Sequence, residues 1–388
     1  MIHLFATSLQ VLSVLGCFTS CAYYALCLWS ARRFLRDRTN RPDGPNKSLP
    51  PVSILKPLKG IDPDIYESFR SHCLQDYPEY EIVFGVSDAS DPAVASVKQL
   101  QKEFPERSIQ LLTCPSILGT NVKVSNLAQM VRKARYDNLI VNDSDIRVER
   151  DYLRRVISPL IHDHTGMVTC LYRGVAAPTI GSQLEALGIS TDFCAGVLAA
   201  GQLEGGLRFG LGSTLAFRKP DLDRTGGFES IVDYLADDYE LGRRISGLGL
   251  KVALSNVVVE TYLPAYGLGG FFTHQMRWAR GVRDARLGGY VGLATTFGMM
   301  WALLNLIAAY AAPWSWAVLG VVALLRVGVA LTVGRIVVND PQVLRHLWML
   351  PLRDLIAVGV WVVSFFGHTV TWRGERFRLK NGRLTRIV

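Results

Sequence analysis

The chain has 388 residues, which is enough for two or three domains. Hydrophobic residues make up 49% of the sequence and the mean hydropathy is +0.21, values that favour a membrane protein. The net charge is +9, but the basic residues cluster beside apolar runs, so we expect a membrane-facing surface and no nucleic-acid partner. None of the seven cysteines forms a C-x-x-C pair, which argues against a disulfide framework or a zinc site and fits a reducing, cytoplasmic compartment.

Residues 9–29 contain no charged side chain and are long enough for one spanning helix. No Lys or Arg precedes this segment and it has no obvious small-residue cleavage site, so we predict an uncleaved anchor. Six basic and two acidic residues follow between positions 32 and 47, which puts the N-terminus outside and the following chain in the cytoplasm. We therefore divide the chain into an anchor with a basic linker (1–49), a cytoplasmic domain that ends in an interfacial helix (50–285), and a C-terminal membrane region with a basic tail (286–388).

The cytoplasmic part alternates between strand and helix patterns. Short apolar runs at residues 52–55, 82–86, 109–112 and 139–141 predict four buried strands. Capped or amphipathic segments at about 62–76, 91–104 and 123–135 predict the helices between them. This alternation favours an open α/β sheet with right-handed crossovers.

Two carboxylates, Asp143 and Asp145, directly follow the fourth predicted strand. The carboxyl ends of such strands are where doubly wound sheets bind nucleotides, and Mg²⁺ is usually held by one or two carboxylates plus phosphates. The pair therefore predicts a metal–diphosphate clamp, although Asp and Ser are also ordinary residues of a solvated turn. Asp88 follows the second strand and should lie on the same rim.

Three later motifs carry polar side chains that could serve the same rim. Lys123 and Asn126 lie in a first helical turn, where free backbone N–H groups and a positive charge could meet a phosphate or a base, or could simply be solvated. Asp237 and Asp238 begin another helix, where the dipole favours acids whatever their role. A basic, aromatic stretch that contains His274, Arg277 and Trp278 is typical of an interfacial helix, and it could also line a binding site.

The order of these motifs resembles that of membrane-bound GT-A glycosyltransferases of families 2 and 21, and within them the ceramide glucosyltransferases. The resemblance runs from about residue 51 to the tail and includes Asp143-Ser144, Asp238-Tyr239 and Arg277-Trp278. It implies a Rossmann-like, mixed and mostly parallel sheet, a UDP-sugar donor, a membrane-lipid acceptor, a divalent cation (Mg²⁺ or Mn²⁺) and inversion at the anomeric carbon. Such a protein is a multi-pass membrane enzyme, here expected in a bacterial inner membrane.

The resemblance also implies roles, carried over by position. Asp88 would contact the uridine, and Asp143 and Asp145 would hold the metal and the diphosphate. Lys123, Asn126 and Asp237 would belong to the donor site. Asp238 would be the general base, and Arg277 and Trp278 would hold the diphosphate or the acceptor.

Two departures from the family pattern bear on the acceptor. His274 stands where the last motif usually begins with Gln or Arg, and Phe193 stands where ceramide glucosyltransferases carry a His. Residues 202–213 are closer to the hopanoid-biosynthesis branch, which adds N-acetylglucosamine to bacteriohopanetetrol. We therefore favour that reaction over glucosylation of ceramide. A processive polysaccharide synthase would need more spanning helices, and a silent scaffold would not need all the acidic motifs.

The C-terminal region contains two long uncharged stretches. Residues 287–325 exceed one span, so we predict a hairpin that turns at Pro313 and continues to about residue 334. Residues 355–372 are the second stretch and would form a third, short membrane segment after the two arms of the hairpin. Three spans would put the basic tail outside, against the positive-inside rule, so we expect one segment to be re-entrant or interfacial. Residues 186–203 are apolar as well, and we expect an acceptor-facing helix there.

Overall fold

The computed structural model describes residues 2–40, 49–161 and 164–387, so residues 41–48, most of the predicted linker, lie outside the described residues. Its main element is an eight-stranded sheet with the strand order β3-β2-β1-β4-β7-β6-β8-β5. The strands are β1 (Val52–Leu58), β2 (Tyr80–Val86), β3 (Ser108–Thr113), β4 (Asn138–Val141), β5 (Ile146–Arg147), β6 (Thr165–Val175), β7 (Leu215–Arg218) and β8 (Lys251–Tyr262).

The sheet is mixed and mostly parallel, as predicted. Strands β1, β2, β3 and β4 pair in parallel, and β6 pairs in parallel with β8. Strand β7 runs antiparallel between β4 and β6, and β5 pairs antiparallel with β8. Every residue of β1 and β2 is buried, which explains why these strands read as continuous apolar runs. This arrangement brings the carboxyl ends of β1, β2 and β4 to one rim.

The helices of the α/β domain that contains this sheet begin close to their predicted starts. After the N-terminal α1 (Ile2–Asn40) they are α2 (Ile65–Cys73), α3 (Ala93–Glu103), α4 (Val122–Met130), α5 (Tyr152–Ile157), α6 (Ile180–Gly188), α7 (Cys194–Leu203), α8 (Lys219–Arg224), α9 (Asp237–Gly247) and α10 (Leu268–Ala285). Helix α4 is shorter than predicted and is capped by Asn121, whose Oδ1 accepts from the N–H of Val124 at 3.2 Å. A π-helical turn, Ile189–Phe193, joins α6 to α7.

The C-terminal membrane region contains α11 (Leu287–Gly292), α12 (Gly298–Ala308), α13 (Pro313–Val329), which continues as a π-helix over Ala330–Val337, α14 (Gln342–His346) and α15 (Leu350–Ser364). Helix α13 begins at Pro313, as predicted, and packs with α12 against α1. Four of the described helices are long and apolar enough to cross a membrane: Thr7–Arg38, Ile180–Leu203, Pro313–Val337 and Gln342–Ser364. Helices α11 and α12 form a further pair bent by 52°.

Residues 186–203, predicted to face the acceptor, belong to the candidate span that is most enclosed by protein. In Ile180–Leu203, 72% of the apolar window is buried inside the protein, against 28–33% for the other three candidates. Cys27 of α1 lies against the carbonyl oxygen of Ala195 at 3.8 Å, and Arg33 donates to Gln202 at 3.1 Å. This helical segment therefore lies between the α/β sheet and the membrane helices.

The chain on both sides of α15 contacts the domain that contains the α/β sheet. Before it, Gln342 donates to the carbonyl oxygen of Gly174 at 2.9 Å, and Asp340 accepts from Ser190 at 2.7 Å. After it, the carbonyl oxygen of Ser364 accepts from Arg283 in α10. The chain thus starts and finishes α15 on the same side of the molecule.

The prediction of an apolar segment over residues 355–372 followed by a basic tail was wrong in its boundaries. Helix α15 ends at Ser364, and Gly367 adopts a φ of +93° that ends the apolar run. The tail forms a second, antiparallel sheet of β9 (Thr369–Trp372), β10 (Glu375–Lys380) and β11 (Arg383–Arg386). This sheet packs on the α/β domain, where the N–H of Leu384 donates to the carbonyl oxygen of Asp233 at 2.7 Å.

Candidate active site

Buried polar side chains beneath the turn after β4 form hydrogen bonds that fix its backbone. Asn142 is fully buried and donates to the hydroxyl of Tyr152 at 2.9 Å and to the carbonyl oxygen of Ser213 at 2.7 Å. Lys56, which points from β1, is also fully buried and donates to the carbonyl oxygen of Asp143 at 2.9 Å. Burial lowers the pKa of Lys56 to about 7, against the opposing effect of nearby carboxylates. These contacts fix the backbone from which Asp143 projects.

Lys123 connects the two acidic motifs. Its Nζ lies 2.8 Å from Asp143 Oδ1 and 3.1 Å from Asp237 Oδ2, and its side chain is 19% exposed. Its pKa is raised because the attraction of Asp143 and Asp237 outweighs the opposing effect of burial. The first turn of α4 therefore supplies a cation to the rim, as the sequence predicted, and it neutralises part of the acidic cluster.

Asp145 points toward β8 and is partly buried. Its Oδ2 accepts a hydrogen bond from the Thr261 hydroxyl at 2.5 Å. Burial, reinforced by the negative charge of Asp143, raises the pKa of Asp145 to about 6. A cation bound near Asp143 and Asp145 would counteract both causes, because it favours the charged form of the carboxylate.

Asp238 faces Asp143 across Gly212. The N–H of Gly212 donates to Asp238 Oδ2 at 2.7 Å, and the N–H of Tyr239 donates to Asp238 Oδ1 at 2.8 Å. A methyl group added at Gly212 would lie 3.2 Å from both Asp143 Oδ2 and Asp238 Oδ2, so the glycine leaves room for the two carboxylates to approach. Burial and the charge of Asp237 raise the pKa of Asp238 to about 6, against the effect of Lys123.

Helix α10 carries the basic, aromatic motif into the same cavity. Arg277 Nη2 lies 2.6 Å from His274 Nε2, and His274 Nδ1 lies 2.6 Å from Glu185 Oε1. Glu185 is 1% exposed, lies in α6 and also accepts from the Tyr266 hydroxyl. Sequence reasoning missed Glu185, because an isolated acid in an apolar helix carries no motif; its partners emerge only from the packing of α6 on α10.

The predicted acceptor residue Phe193 lies in an aromatic wall. Its ring centroid is 5.2 Å from that of Tyr172 and 6.0 Å from that of Trp278, whose centroid is in turn 5.3 Å from that of His274. The wall belongs to a cavity of about 1200 Å³ that begins at the acidic rim and extends between the membrane helices. Lining residues at its far end are Tyr23, Tyr24, Phe297, Met299, Ala357 and Trp361.

The structure brings most of the predicted site residues to this cavity, with one exception. Asn126 lines it, and the Asn126 amide oxygen accepts from the Ser87 hydroxyl at 3.0 Å. Asp88 lies at the end of β2 but is exposed and outside the cavity lining, because its carboxylate turns back to accept from the N–H and hydroxyl of Ser90 at 2.8 Å. Its contact with a uridine stays a prediction.

The C-terminal sheet covers one edge of the rim. Trp372 and Arg373 line the cavity, and Arg373 Nη2 lies 3.7 Å from Asp62 Oδ2. Arg373 also donates to the carbonyl oxygen of Lys59, in the loop that follows β1. The tail thus contributes to the site, which its basic composition did not reveal.

The sequence profile described as Glycosyl transferase family 21 matches residues 12–385. The chain belongs to this family. It is 28% identical over 236 residues to ceramide glucosyltransferase 3 of Caenorhabditis elegans, a match that covers 61% of this chain and 51% of that protein. Over 113 residues it is 34% identical to the ceramide glucosyltransferase of Komagataella phaffii, covering 28% of this chain and 22% of that protein. The chain spans about half the length of the curated relatives that it matches over most of its sequence.

A solved structure supports the fold assignment. The mannosyltransferase PcManGT from Pyrobaculum calidifontis, in complex with GDP-Man and Mn²⁺, is similar over 92% of this chain and 99% of that chain, with a TM-score of 0.54 and 20% identity. At that identity the likeness shows the fold alone. Together with the strand order it confirms the predicted GT-A class, and the family match confirms the resemblance to glycosyltransferases.

The acidic rim of this family 21 protein suits a hard divalent cation. Asp143 and Asp145 supply carboxylate oxygens, the ligands that Mg²⁺ and Mn²⁺ prefer. Among the described residues there is no group of three or more His, Cys, Asp or Glu side chains arranged to hold a metal by themselves. The remaining ligands would therefore come from phosphate oxygens and water, which is how Mg²⁺ is usually bound beside a nucleotide.

Replacing either Asp143 or Asp145 by Asn removes a charged oxygen from the pair. We expect Asp143→Asn and Asp145→Asn each to weaken Mn²⁺-dependent binding of UDP by roughly tenfold or more, measured by titration calorimetry. Asp64→Asn, whose side chain is 55% exposed at the neighbouring loop, is the matched control and should bind like the wild type. Near-normal Mn²⁺-dependent affinity in both rim variants would exclude the pair as the metal site.

Proposed function

We propose that this protein is a non-processive, inverting glycosyltransferase that transfers a sugar from a UDP-sugar to a hydroxyl group of a membrane lipid. The observation that carries the proposal is the continuity of one cavity. Its acidic end holds Asp143 and Asp238, and its other end lies among apolar residues of α1, α12 and α15. A polar donor and a lipid acceptor can therefore meet inside it.

In this proposal Asp238 is the general base. An alcohol is a poor nucleophile at neutral pH, so a carboxylate must take its proton as it attacks the anomeric carbon. The hydrogen bonds from Gly212 and Tyr239 fix the Asp238 carboxylate, and its raised pKa makes it a better proton acceptor than an ordinary aspartate. Asp237 is engaged by Lys123 and is the weaker candidate.

The positive side chains on the rim would stabilise the leaving group. Lys123 and Arg277 line the cavity on the side of Asp143, and Arg277 is held by His274, itself supported by Glu185. Both cations could bind the diphosphate as negative charge develops on it. A divalent cation bound at Asp143 and Asp145 would add positive charge to the same oxygens.

For the acceptor, we propose a hopanoid polyol, bacteriohopanetetrol, with N-acetylglucosamine as the sugar. The wall formed by Tyr172, Phe193 and Trp278 offers flat, apolar contact area to a rigid polycyclic lipid. The second candidate is ceramide with glucose as the sugar, because similar curated proteins are ceramide glucosyltransferases. Either lipid would be supplied from the bilayer.

We also propose that α1, the bent pair α11–α12 and α13 cross the membrane and that α15 lies at its cytoplasmic interface. The chain before and after α15 contacts the α/β domain, so a crossing there would separate these two contacts. With the N-terminus outside, three crossings put the basic C-terminal sheet inside, in agreement with the positive-inside rule. This assignment resolves the conflict between the number of predicted spans and the basic charge of the C-terminal tail.

The test of the activity is direct. The purified full-length protein in lipid nanodiscs is incubated with Mn²⁺ and radiolabelled UDP-glucose or UDP-N-acetylglucosamine, with ceramide or bacteriohopanetetrol as acceptor. We expect one sugar to be added to one of these lipids, read as a single product by thin-layer chromatography. Long polymeric products would favour a processive synthase, and absence of both donor hydrolysis and transfer would contradict the proposal.

The assignment of the base is tested by the two neighbouring acids. We expect Asp238→Asn to lose transfer by roughly 10²–10⁴-fold, the usual contribution of a general base, while affinity for UDP-sugar and metal is kept. Asp237→Asn should be milder. Rates are measured under single-turnover conditions and affinities by calorimetry. A near wild-type rate for Asp238→Asn, or a larger loss for Asp237→Asn, would contradict the assignment.

The topology is tested with reporter fusions in a bacterial host. A fusion of green fluorescent protein to the C-terminus should fluoresce and an alkaline phosphatase fusion there should be inactive, because we place the C-terminal sheet in the cytoplasm. Fusions that end at Tyr310, between α12 and α13, should give the opposite pattern. An active phosphatase at the C-terminus would instead indicate that α15 crosses.

A further inference from the structure

A cluster of four charged side chains lies in the cavity at the level of the membrane helices. Arg326, in α13, is 3% exposed; its Nη2 lies 2.9 Å from Asp192 Oδ1 and 2.8 Å from Asp354 Oδ1. Arg353, beside Asp354 in α15, lies 4.0 Å from Asp192 Oδ2. All four residues line the cavity. In a membrane protein, charged side chains that face an internal cavity mark substrate paths.

The hydrogen bonds of Arg326 are satisfied within the protein. Its Nε donates to Asp354 Oδ2 at 3.0 Å, its Nη1 donates to the carbonyl oxygen of Thr191 at 3.2 Å, and its Nη2 reaches Asp192 and Asp354. Arg326 therefore acts as a fixed support that orients Asp192. Each of its three side-chain nitrogens has an acceptor among the described residues.

Arg353 and Asp192, in contrast, retain unused hydrogen-bonding capacity toward the cavity. The Arg353 side chain is 9% exposed, and its Nη2 donates to Gln275 Oε1 at 3.3 Å. Its Nε is covered by α6, because a methyl group at Gly188 would lie 2.4 Å from that nitrogen. Asp192 is 38% exposed, and its Oδ2 lies 4.0 Å from Arg353 Nη1, which makes no hydrogen bond among the described residues. A ligand group placed between these two atoms could bond both of them.

We propose that Asp192 and Arg353 form a second polar subsite for the lipid acceptor, which binds a neutral hydroxyl or amide group of the lipid while another hydroxyl reacts at Asp238. This inference rests on the proposed function. Asp192 Oδ2 would accept a hydrogen bond and Arg353 Nη1 would donate one, so the matching group must both donate and accept, as a hydroxyl or a secondary amide does.

The charge balance of the cluster restricts the ligand further. Two arginines and two aspartates cancel, and Asp192 would repel an anionic group such as a phosphate. The subsite therefore selects an uncharged lipid with at least two polar groups in its head and excludes phospholipids. Ceramide, with its amide and second hydroxyl, and a hopanoid polyol share this chemistry.

The position of the subsite agrees with a lipid bound along the aromatic wall. Asp192 directly precedes Phe193, whose ring contacts Trp278, the neighbour of Arg277 on the donor side. A head group that lies on this wall can reach the acidic rim with one hydroxyl and Asp192 with another. The lipid chains then continue toward Phe297, Met299 and Trp361.

The experiment compares acceptors that have or lack the second polar group. The full-length protein in nanodiscs is assayed with ceramide against a branched fatty alcohol of the same carbon number, and with bacteriohopanetetrol against a hopanoid with one terminal hydroxyl. We expect Asp192→Asn and Arg353→Lys to lower kcat/KM for the lipid with the second group about tenfold to a hundredfold more than for its partner. If the ceramide pair shows this selectivity, the acceptor is a sphingolipid; if the bacteriohopanetetrol pair shows it, the acceptor is a hopanoid.

Asp340→Asn is the matched control. Asp340 bonds Ser190 in the same π-helical turn at 2.7 Å but does not line the cavity, so this variant should keep the wild-type ratio between the two acceptors of a pair. Arg353→Lys retains the positive charge and tests the subsite should Asp192→Asn fail to fold. Equal losses for both acceptors, or no loss, would overturn the subsite and leave Arg326, Asp192 and Asp354 as a structural tie.

Binding is measured in parallel from the quenching of tryptophan fluorescence, for which Trp278 in the cavity wall is a built-in reporter. The subsite predicts that the two variants lose the preference for the lipid with the second polar group, whether or not sugar is transferred. Equal binding of both lipids of each pair by the wild type would overturn the subsite. Failure of the wild type to transfer sugar to any of the four lipids would instead count against the proposed function.

Discussion

The site depends on the convergence of like charges in a partly buried space. Asp143 and Asp237 come from loops almost a hundred positions apart and meet on Lys123, while Asp145 and Asp238 stand beside them with raised pKa values. Such repulsion would push the loops apart unless the backbone beneath were fixed, and the buried Lys56 fixes it. The same surplus of negative charge suits the rim to a cation, and in the proposed function a diphosphate would bind through that cation. The stability of the rim and the proposed donor binding would then depend on one electrostatic constraint.

Much of the rim could be predicted because parallel strands have a clear signature. Strands β1, β2 and β4 are buried on both faces, so their apolar runs locate them, and the residues that follow must lie at one edge. The approach of Asp238 to Asp143 could not be derived this way. That approach depends on the position of β7 in the sheet and on the space left by Gly212. Contacts between such distant segments leave no periodic pattern in the sequence. Only the family resemblance placed the two acids in one site.

The C-terminal sheet shows how one signal can hide another. In β10, basic residues alternate with Phe377 and Leu379, which are 4% and 0% exposed, so the period of a half-buried strand is present in the sequence. The positive charge of the tail also predicts membrane topology, and this stronger signal masks the alternation. Glu185 and Arg326 were missed for a different reason: each is a single charge in an apolar helix, and its role depends on a partner from a distant element.

The cluster around Arg326 changes how the division at residue 285 should be understood. Arg326 belongs to a helix that is apolar enough to cross a membrane, yet its guanidinium bonds Asp192 of the α/β domain as well as Asp354 of α15. Without the α/β domain, α13 would keep Asp354 but lose Asp192 and the carbonyl oxygen of Thr191. Removing one partner of a buried ion pair is destabilising, because the remaining charge is less well compensated. The boundary predicted at residue 285 therefore divides the sequence but not the packing, since hydrogen bonds across it help to hold the apolar helices on the α/β domain.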